Sequence, residues 1–159
     1  KMIYKIKNWL VIFLPLMLLS CGFKSINQKN ENIIYFQNIT VEGEPRLTFR
    51  LKNNILLTSS NLSEKKYDAQ IKLTKQKTTK IKNKAGKVER YNVSLSVSLE
   101  LVSLNNDVKI SNNFTKSADY NVALIHSDTV RNENNITKKL IEQLSEEIIN
   151  YITFSMRGG

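Results

Sequence analysis

The chain has 159 residues, a hydrophobic fraction of 41% and a formal net charge of +10. That length supports one compact domain with its own core. The single cysteine excludes a disulfide within the chain, and the positive charge favours an anionic partner such as lipid headgroups or nucleic acid.

The N-terminus has the pattern of a secretory signal peptide. The run from Trp9 to Leu19 is apolar, three lysines precede it, and Ser20 stands before the lone cysteine, Cys21. A helix of this length spans about 16 Å, whereas a bilayer core of about 30 Å requires roughly 20 residues. We therefore predict a signal peptide over residues 1–20, and a permanent transmembrane helix is the weaker alternative.

The position of Cys21 resembles that of the acylated first residue of mature bacterial lipoproteins. We predict lipidation there, with palmitate among the acyl chains; a secreted protein with a free thiol is the alternative. The resemblance also implies that Gly22 after the cysteine, in place of an aspartate, permits sorting to the outer membrane. Removing residues 1–20 leaves 21 basic and 14 acidic residues, a charge of about +7, and export argues against a nucleic-acid partner.

A polar stretch without periodicity separates this signal from the first regular element, so residues 21–32 are predicted to be a flexible tether. The β-branched and aromatic run 33–39 predicts a buried strand. Pro45 then marks the start of a helix that should end near residues 59–61. Its apolar side chains recur at four-residue spacing and are Leu47, Leu51 and Ile55, widened by Leu56.

The middle of the chain alternates between apolar and polar side chains over residues 67–74 and, more strongly, over 91–101. That pattern predicts antiparallel strands with one buried face. The lysine-rich connection between them contains Gly86, which predicts a hairpin with a basic tip. A third strand should begin with Val108 and run to about Lys116.

The last element is the clearest predicted helix, although residues 118–125 before it fit no pattern. Either Ser127-Asp128 or Asn134-Asn135 could cap its start. Its apolar stripe consists of Ile136, Leu140, Leu144, Ile148 and Ile152. The element order β-α-β-β-β-α over residues 33–156 predicts an α+β fold, a two-layer sandwich in which both helices cover one face of a four-stranded sheet.

Residues with the spacing of catalytic or metal sites are not evident. His126 is the only histidine, so it is predicted to be an ordinary loop residue rather than one of the three or four ligands of a metal. Glu142, Glu146 and Glu147 lie opposite the apolar stripe and are predicted to form a solvated helix face. We predict no catalytic residue, no metal and no cofactor; an exported enzyme with an unrecognised site is an alternative.

Taken together, the motifs resemble the family of the lipopolysaccharide-assembly lipoprotein LptE. The mature part begins with Cys21-Gly22-Phe23, and the first helix carries Arg46 and Arg50. The segments 91–95 and 120–123 are similar to the family's segments at these places, whereas Lys24 onward departs from its usual proline-rich continuation.

The resemblance implies a protein on the periplasmic side of the outer membrane that plugs the large β-barrel LptD and binds lipopolysaccharide through basic residues. The predicted partners are therefore an LptD-like barrel, lipopolysaccharide and the membrane reached by the lipid anchor. A stand-alone periplasmic lipoprotein that binds another anionic ligand is the alternative function. The candidate lipopolysaccharide-binding residues are those of the basic hairpin, Lys80, Lys82, Lys84, Lys87 and Arg90.

Overall fold

The structure, a computed structural model, describes residues 34–59, 63–105 and 108–157. The predicted signal peptide, the predicted tether and Cys21 lie outside the described residues, and the domain boundaries stay predictions. The elements are β1 (Tyr35–Glu42), α1 (Pro45–Leu56), β2 (Lys66–Lys82), β3 (Val88–Ser103), β4 (Lys109–Asn121) and α2 (His126–Arg157).

The four strands form one sheet in the order β1-β2-β3-β4. β1 pairs with β2 in parallel, while β2–β3 and β3–β4 are antiparallel pairs. Because parallel neighbours need a crossover, the chain passes through α1 between β1 and β2. α2 packs against α1, β3 and β4. The α+β fold with the predicted element order is therefore confirmed.

The core lies between one face of the sheet and the two helices. Alternate residues of β3 from Val93 to Leu101 are buried, and those of β2 from Tyr67 to Leu73 are buried as well. Fully burying one large aliphatic side chain contributes about 1.5–3 kcal/mol. The helices supply the predicted stripes, which are buried at Leu47, Leu51, Ile55, Leu140, Leu144, Ile148 and Ile152.

The connection from β1 to α1 depends on Gly43, which has a φ of 136°. A Cβ atom at this residue would lie 2.3 Å from the backbone oxygen of Leu73. Only glycine combines that backbone conformation with so close an approach. The turn therefore brings Pro45, the first residue of α1, directly over the sheet.

Two strands are longer than predicted. β1 continues to Glu42, because a bulge between Phe36 and Asn38 shifts its register and turns Ile39 toward the core. β4 runs to Asn121 rather than Lys116: its last residues pair with β3 although their side chains are mostly polar. Backbone pairing with β3 and the buried side chain of Tyr120, which packs against Tyr91, hold this end in the sheet.

Two smaller expectations at the strand and helix ends were wrong. Val108, assigned to the third strand, precedes β4 and is exposed. His126, expected in a loop, is the first residue of α2, which therefore begins at the earlier of the two predicted starts. On the outer face of α2, Glu142 and Glu146 are exposed, and the half-exposed Glu147 places Oε2 2.9 Å from the Nζ of Lys116 on β4.

Candidate functional site

The β2–β3 hairpin ends in an ordered turn. The Asn83 side chain closes it, because Oδ1 accepts hydrogen bonds from the backbone N–H groups of Ala85 at 3.0 Å and Lys87 at 2.9 Å. Gly86 has a φ of 79°, the left-handed conformation that glycine adopts without strain. Bulges on either side of Ile81 break the strand register just before this turn.

The five predicted binding residues lie together at this end of the molecule, and we call them the basic tip: Lys80, Lys82, Lys84, Lys87 and Arg90. All five are exposed, and in the described part of the chain none forms an ion pair with a carboxylate. Arg90 Nε donates to Asn121 Oδ1 at 3.0 Å, which ties β3 to the end of β4. With Glu89 as the acid of this segment, the basic tip carries a clear excess of positive charge.

Beside the basic tip lies a cleft of about 430 Å³ where the hairpin meets the connection between β4 and α2. The backbone N–H of Val122 donates to the carbonyl of Glu89 at 2.9 Å and holds this connection against β3. Leu124 lines the cleft and is fully exposed, and Ile125 next to it is 62% exposed. The arrangement therefore places apolar side chains next to cationic ones, as the binding of a charged amphiphile requires.

Sequence reasoning missed the contribution of Leu124 and Ile125. They belong to residues 118–125, which matched neither the helical nor the strand pattern. Two adjacent apolar residues in a short connection carry no periodic signal. Only the pairing of β4 with the base of the hairpin places them beside the basic tip.

A second group of charged residues lies between the sheet and α2, and we call it the Glu133 cluster. Glu133 Oε1 is 2.7 Å from Lys75 Nζ, and Oε2 is 2.7 Å from Lys77 Nζ. The hydroxyl of Tyr120 also donates to Oε2 at 2.7 Å. Lys77 Nζ lies 4.3 Å from the centre of the Tyr91 ring, within the range of a cation–π contact.

These contacts determine the ionisation of Glu133. Burial alone would raise the pKa of its carboxyl, but the hydrogen bonds from Lys75, Lys77 and Tyr120 lower that pKa to about 2. Burial raises the pKa of the Tyr120 hydroxyl. For Lys77, burial acts to lower the pKa, but the hydrogen bonds and charge interactions with Glu133 and Tyr120 together outweigh that effect, so the pKa is raised. Glu133 is therefore ionised and fully engaged, which indicates a structural clamp rather than an acid–base group.

The sheet face opposite the helices is the open face. Its central rows run across three strands and consist of uncharged polar side chains, with Lys72 as the exception. Ser96 and Thr115 form a hydrogen bond of 3.0 Å there, and Asn92 donates to Asp119 at 2.6 Å. The central rows, given in strand order, are Lys72, Ser98 and Asn113; Thr74, Ser96 and Thr115; Gln76, Ser94 and Ser117.

The described residues contain no group of three or more histidine, cysteine, aspartate or glutamate side chains that could hold a metal ion. Within that same part of the chain, no helix combines the length and the apolar composition needed to cross a bilayer. The candidate lipidation residue, Cys21, lies outside it.

Solved structures with this fold come from bacterial lipoproteins. Rare lipoprotein B from Shewanella oneidensis is 12% identical, with a TM-score of 0.61, over 78% of this chain and 97% of that one. A minor lipoprotein from Acinetobacter baumannii is 13% identical, with a TM-score of 0.54, over 79% and 95%. A putative lipoprotein from Caulobacter crescentus is also 13% identical, with a TM-score of 0.54, over 76% and 92%. At these identities the likeness defines the fold class alone.

The sequence itself identifies the family. Residues 31–152 match the family described as LptE, lipopolysaccharide-assembly. The chain therefore belongs to the LptE family, and the resemblance noted from its motifs is confirmed. No curated protein matches the chain.

Proposed function

We propose that this chain is an outer-membrane lipoprotein, acylated at Cys21, that plugs an LptD-like β-barrel and assists the assembly of lipopolysaccharide at the cell surface. Its membership in a lipopolysaccharide-assembly family supports the process. In this role the protein is a binding and scaffolding component without catalysis. It is held on the periplasmic side of the membrane by its lipid anchor.

The open face is the observation that carries the plug role. The lumen of a large outer-membrane barrel is polar and hydrated. Serine, threonine, asparagine and glutamine side chains can exchange hydrogen bonds with such a wall without the cost of desolvating charges. The open face offers such side chains on three strands. Its charged residues include Glu42, which is in register with Lys72, and Glu100 in the adjacent row.

The basic tip supplies the second part of the proposal. Lipopolysaccharide combines clustered phosphates with acyl chains. The cleft is lined by Lys87, Arg90 and Leu124, and the exposed Ile125 follows Leu124 in the sequence. Lysine ammonium groups meet phosphates as point charges, while the leucine and isoleucine side chains can cover apolar surface. A stand-alone lipoprotein that binds another anionic ligand would use the basic tip but would leave the open face without a role.

The first experiment is a pull-down. The full chain carries a C-terminal tag, outer membranes are extracted in mild detergent, and the eluate is run with and without boiling. We expect a stoichiometric barrel partner whose mobility changes on heating, and a mass that shows acylation at Cys21. A monomeric eluate with Cys21 acylated would overturn the plug role while leaving the anchor in place.

A matched pair of variants then tests the open face. Gln76→Arg adds a charge at an exposed position of the central rows, and Gln143→Arg makes the same change at an exposed position of α2. We expect Gln76→Arg to lower barrel recovery several-fold, because it introduces a charge that the interface must desolvate. Equal recovery of the barrel with both variants would remove the open face as the contact surface.

A further inference from the structure

A separate basic cleft lies on the helical side of the sheet and shares no residue with the basic tip. It has a volume of about 280 Å³ and forms where the first turns of α1 meet residues 134–138 of α2. Four cationic side chains line it, namely those of Arg46, Arg50, Lys75 and Lys138. Lys75 is held by the carboxylate of Glu133. Asn134 and Asn135 add amide groups to the same walls.

The positive charges of this cleft are only partly neutralised by the protein. In residues 34–59, 63–105 and 108–157, neither Arg46 nor Arg50 forms an ion pair. The nearby carboxylate of Glu133 is already engaged by two lysines and a tyrosine. Lys138 Nζ is 3.9 Å from Glu142, in a pair whose side chains are both more than half exposed. Glu44 is the single acidic residue of the cleft lining.

The positions of Arg46 and Arg50 near the start of α1 add to this excess of positive charge. Arg46 and Arg50 occupy the first two turns of α1, where the positive end of the helix dipole disfavours cations. The first turn contains no acidic residue, and the Glu44 side chain makes no capping hydrogen bond. An anion between the two helices would therefore meet two arginines and the favourable end of the dipole.

We propose that this cleft binds a phosphate group, either of a free phosphate compound or of a lipid headgroup. Arginine forks pair with phosphate oxygens in bidentate fashion. Phosphate also offers more acceptor oxygens than a carboxylate, which suits a site lined by two arginines, Lys138 and two asparagine amides. The volume corresponds to roughly nine waters, enough for one phosphate group and a short substituent. The inference does not depend on the proposed function, because neither barrel nor lipopolysaccharide enters it.

The test is a titration of the full chain in detergent micelles at low ionic strength. Binding is measured from the NMR shifts of the backbone amides. The probes are inorganic phosphate, glycerophosphoglycerol as a headgroup phosphodiester, and acetate as a carboxylate. We expect phosphate or the diester to shift amides of residues 46–50 and 134–138. Whichever of these two probes binds more tightly identifies the source of the phosphate group. Acetate should bind at least about tenfold more weakly than that probe.

Three variants complete the test, each checked for folding by circular dichroism. Arg46→Ala/Arg50→Ala should weaken binding at least about tenfold. The control Lys66→Ala/Lys139→Ala removes the same charge from exposed positions outside the cleft and should change binding less than about twofold.

Glu44→Gln should strengthen binding, because it removes the acid from the cleft. Equal losses in both double variants, acetate binding as strong as phosphate binding, or shifts confined to the basic tip would each overturn the proposal.

Discussion

Glu133 of α2 and Lys77 of β2 lie 56 residues apart in the sequence, yet their Oε2 and Nζ atoms are 2.7 Å apart. The same carboxylate also binds Lys75 and the Tyr120 hydroxyl. One side chain thus joins α2 to β2 and β4. Because α2 follows directly from the connection that carries Leu124, this clamp also fixes the apolar wall of the cleft at the basic tip.

The first prediction concerns the stability that this clamp provides. Glu133→Gln removes the negative charge and leaves two lysine ammonium groups facing a neutral amide. Hydrogen bonds to charged groups contribute about 1.5–3 kcal/mol each, less where a partner is exposed, as Lys77 is. We expect the free energy of unfolding, measured by urea denaturation, to fall by about 1–2 kcal/mol. The control Glu146→Gln lies on the exposed face of α2 and should change stability by less than about 0.5 kcal/mol.

The second prediction is the pH dependence of this effect. The pKa of Glu133 is about 2 in the folded chain, below its ordinary value of 4.5. A carboxyl group whose pKa falls on folding stabilises the protein above its unfolded pKa and loses that contribution as the pH approaches its folded pKa. The stability difference between wild type and Glu133→Gln should therefore be complete above about pH 5 and shrink toward about pH 2. Urea denaturation over this range measures it, and a difference that grows on acidification would contradict the assignment.

The third prediction contrasts the two glycines with positive φ. Gly43→Ala combines strain at φ 136° with a Cβ atom 2.3 Å from the Leu73 oxygen, so the backbone must move. Gly86→Ala meets only the conformational strain, because nothing lies within 4 Å of its Cβ position. We expect losses of at least about 2–3 kcal/mol for Gly43→Ala and about 1 kcal/mol for Gly86→Ala, measured by thermal unfolding. Equal losses of stability in the two variants would mean that the close approach to Leu73 does not contribute to the effect of Gly43→Ala.

Much of the fold was predictable because the core follows simple periods. The alternation in β3 from Val93 to Leu101 and the four-residue spacing from Leu140 to Ile152 report burial directly, and the structure buries both. The end of β4 was not predictable, since residues 117–121 are held by backbone pairing with β3 and by one buried side chain, that of Tyr120. Hydrophobic patterns carry no information on such pairing when the side chains are polar.

The candidate site was also predictable in one part and not in another. The basic tip was visible in the sequence, because its lysines flank one turn glycine, Gly86. The Glu133 cluster was not, since it joins residues of β2, β4 and α2 that are 56 and 13 residues apart. A one-dimensional pattern could only place Glu133 on a helix; its burial under two lysines depends on how α2 crosses the sheet.

The fourth prediction concerns lipopolysaccharide and the basic tip. Lys82→Ala/Lys84→Ala/Lys87→Ala removes three exposed charges from a turn whose shape is set by Asn83 and Gly86, so folding should be preserved. Each cation near an anionic lipid surface contributes about 1 kcal/mol. Binding of fluorescent lipopolysaccharide to the full chain should therefore weaken by up to about 100-fold at low salt. Glutamate at the same positions should weaken it further.

Salt and a matched control decide whether this loss is specific. At physiological ionic strength the screening length is about 8 Å, so the difference between wild type and the triple variant should shrink there. The control triple variant removes the same charge from exposed lysines elsewhere on the chain: Lys66→Ala, Lys72→Ala and Lys139→Ala. We expect it to retain most of the binding, since its positions lie outside the cleft with Leu124. If both triple variants lose binding equally, net charge alone attracts the ligand; if neither does, the basic tip is only a solvated turn.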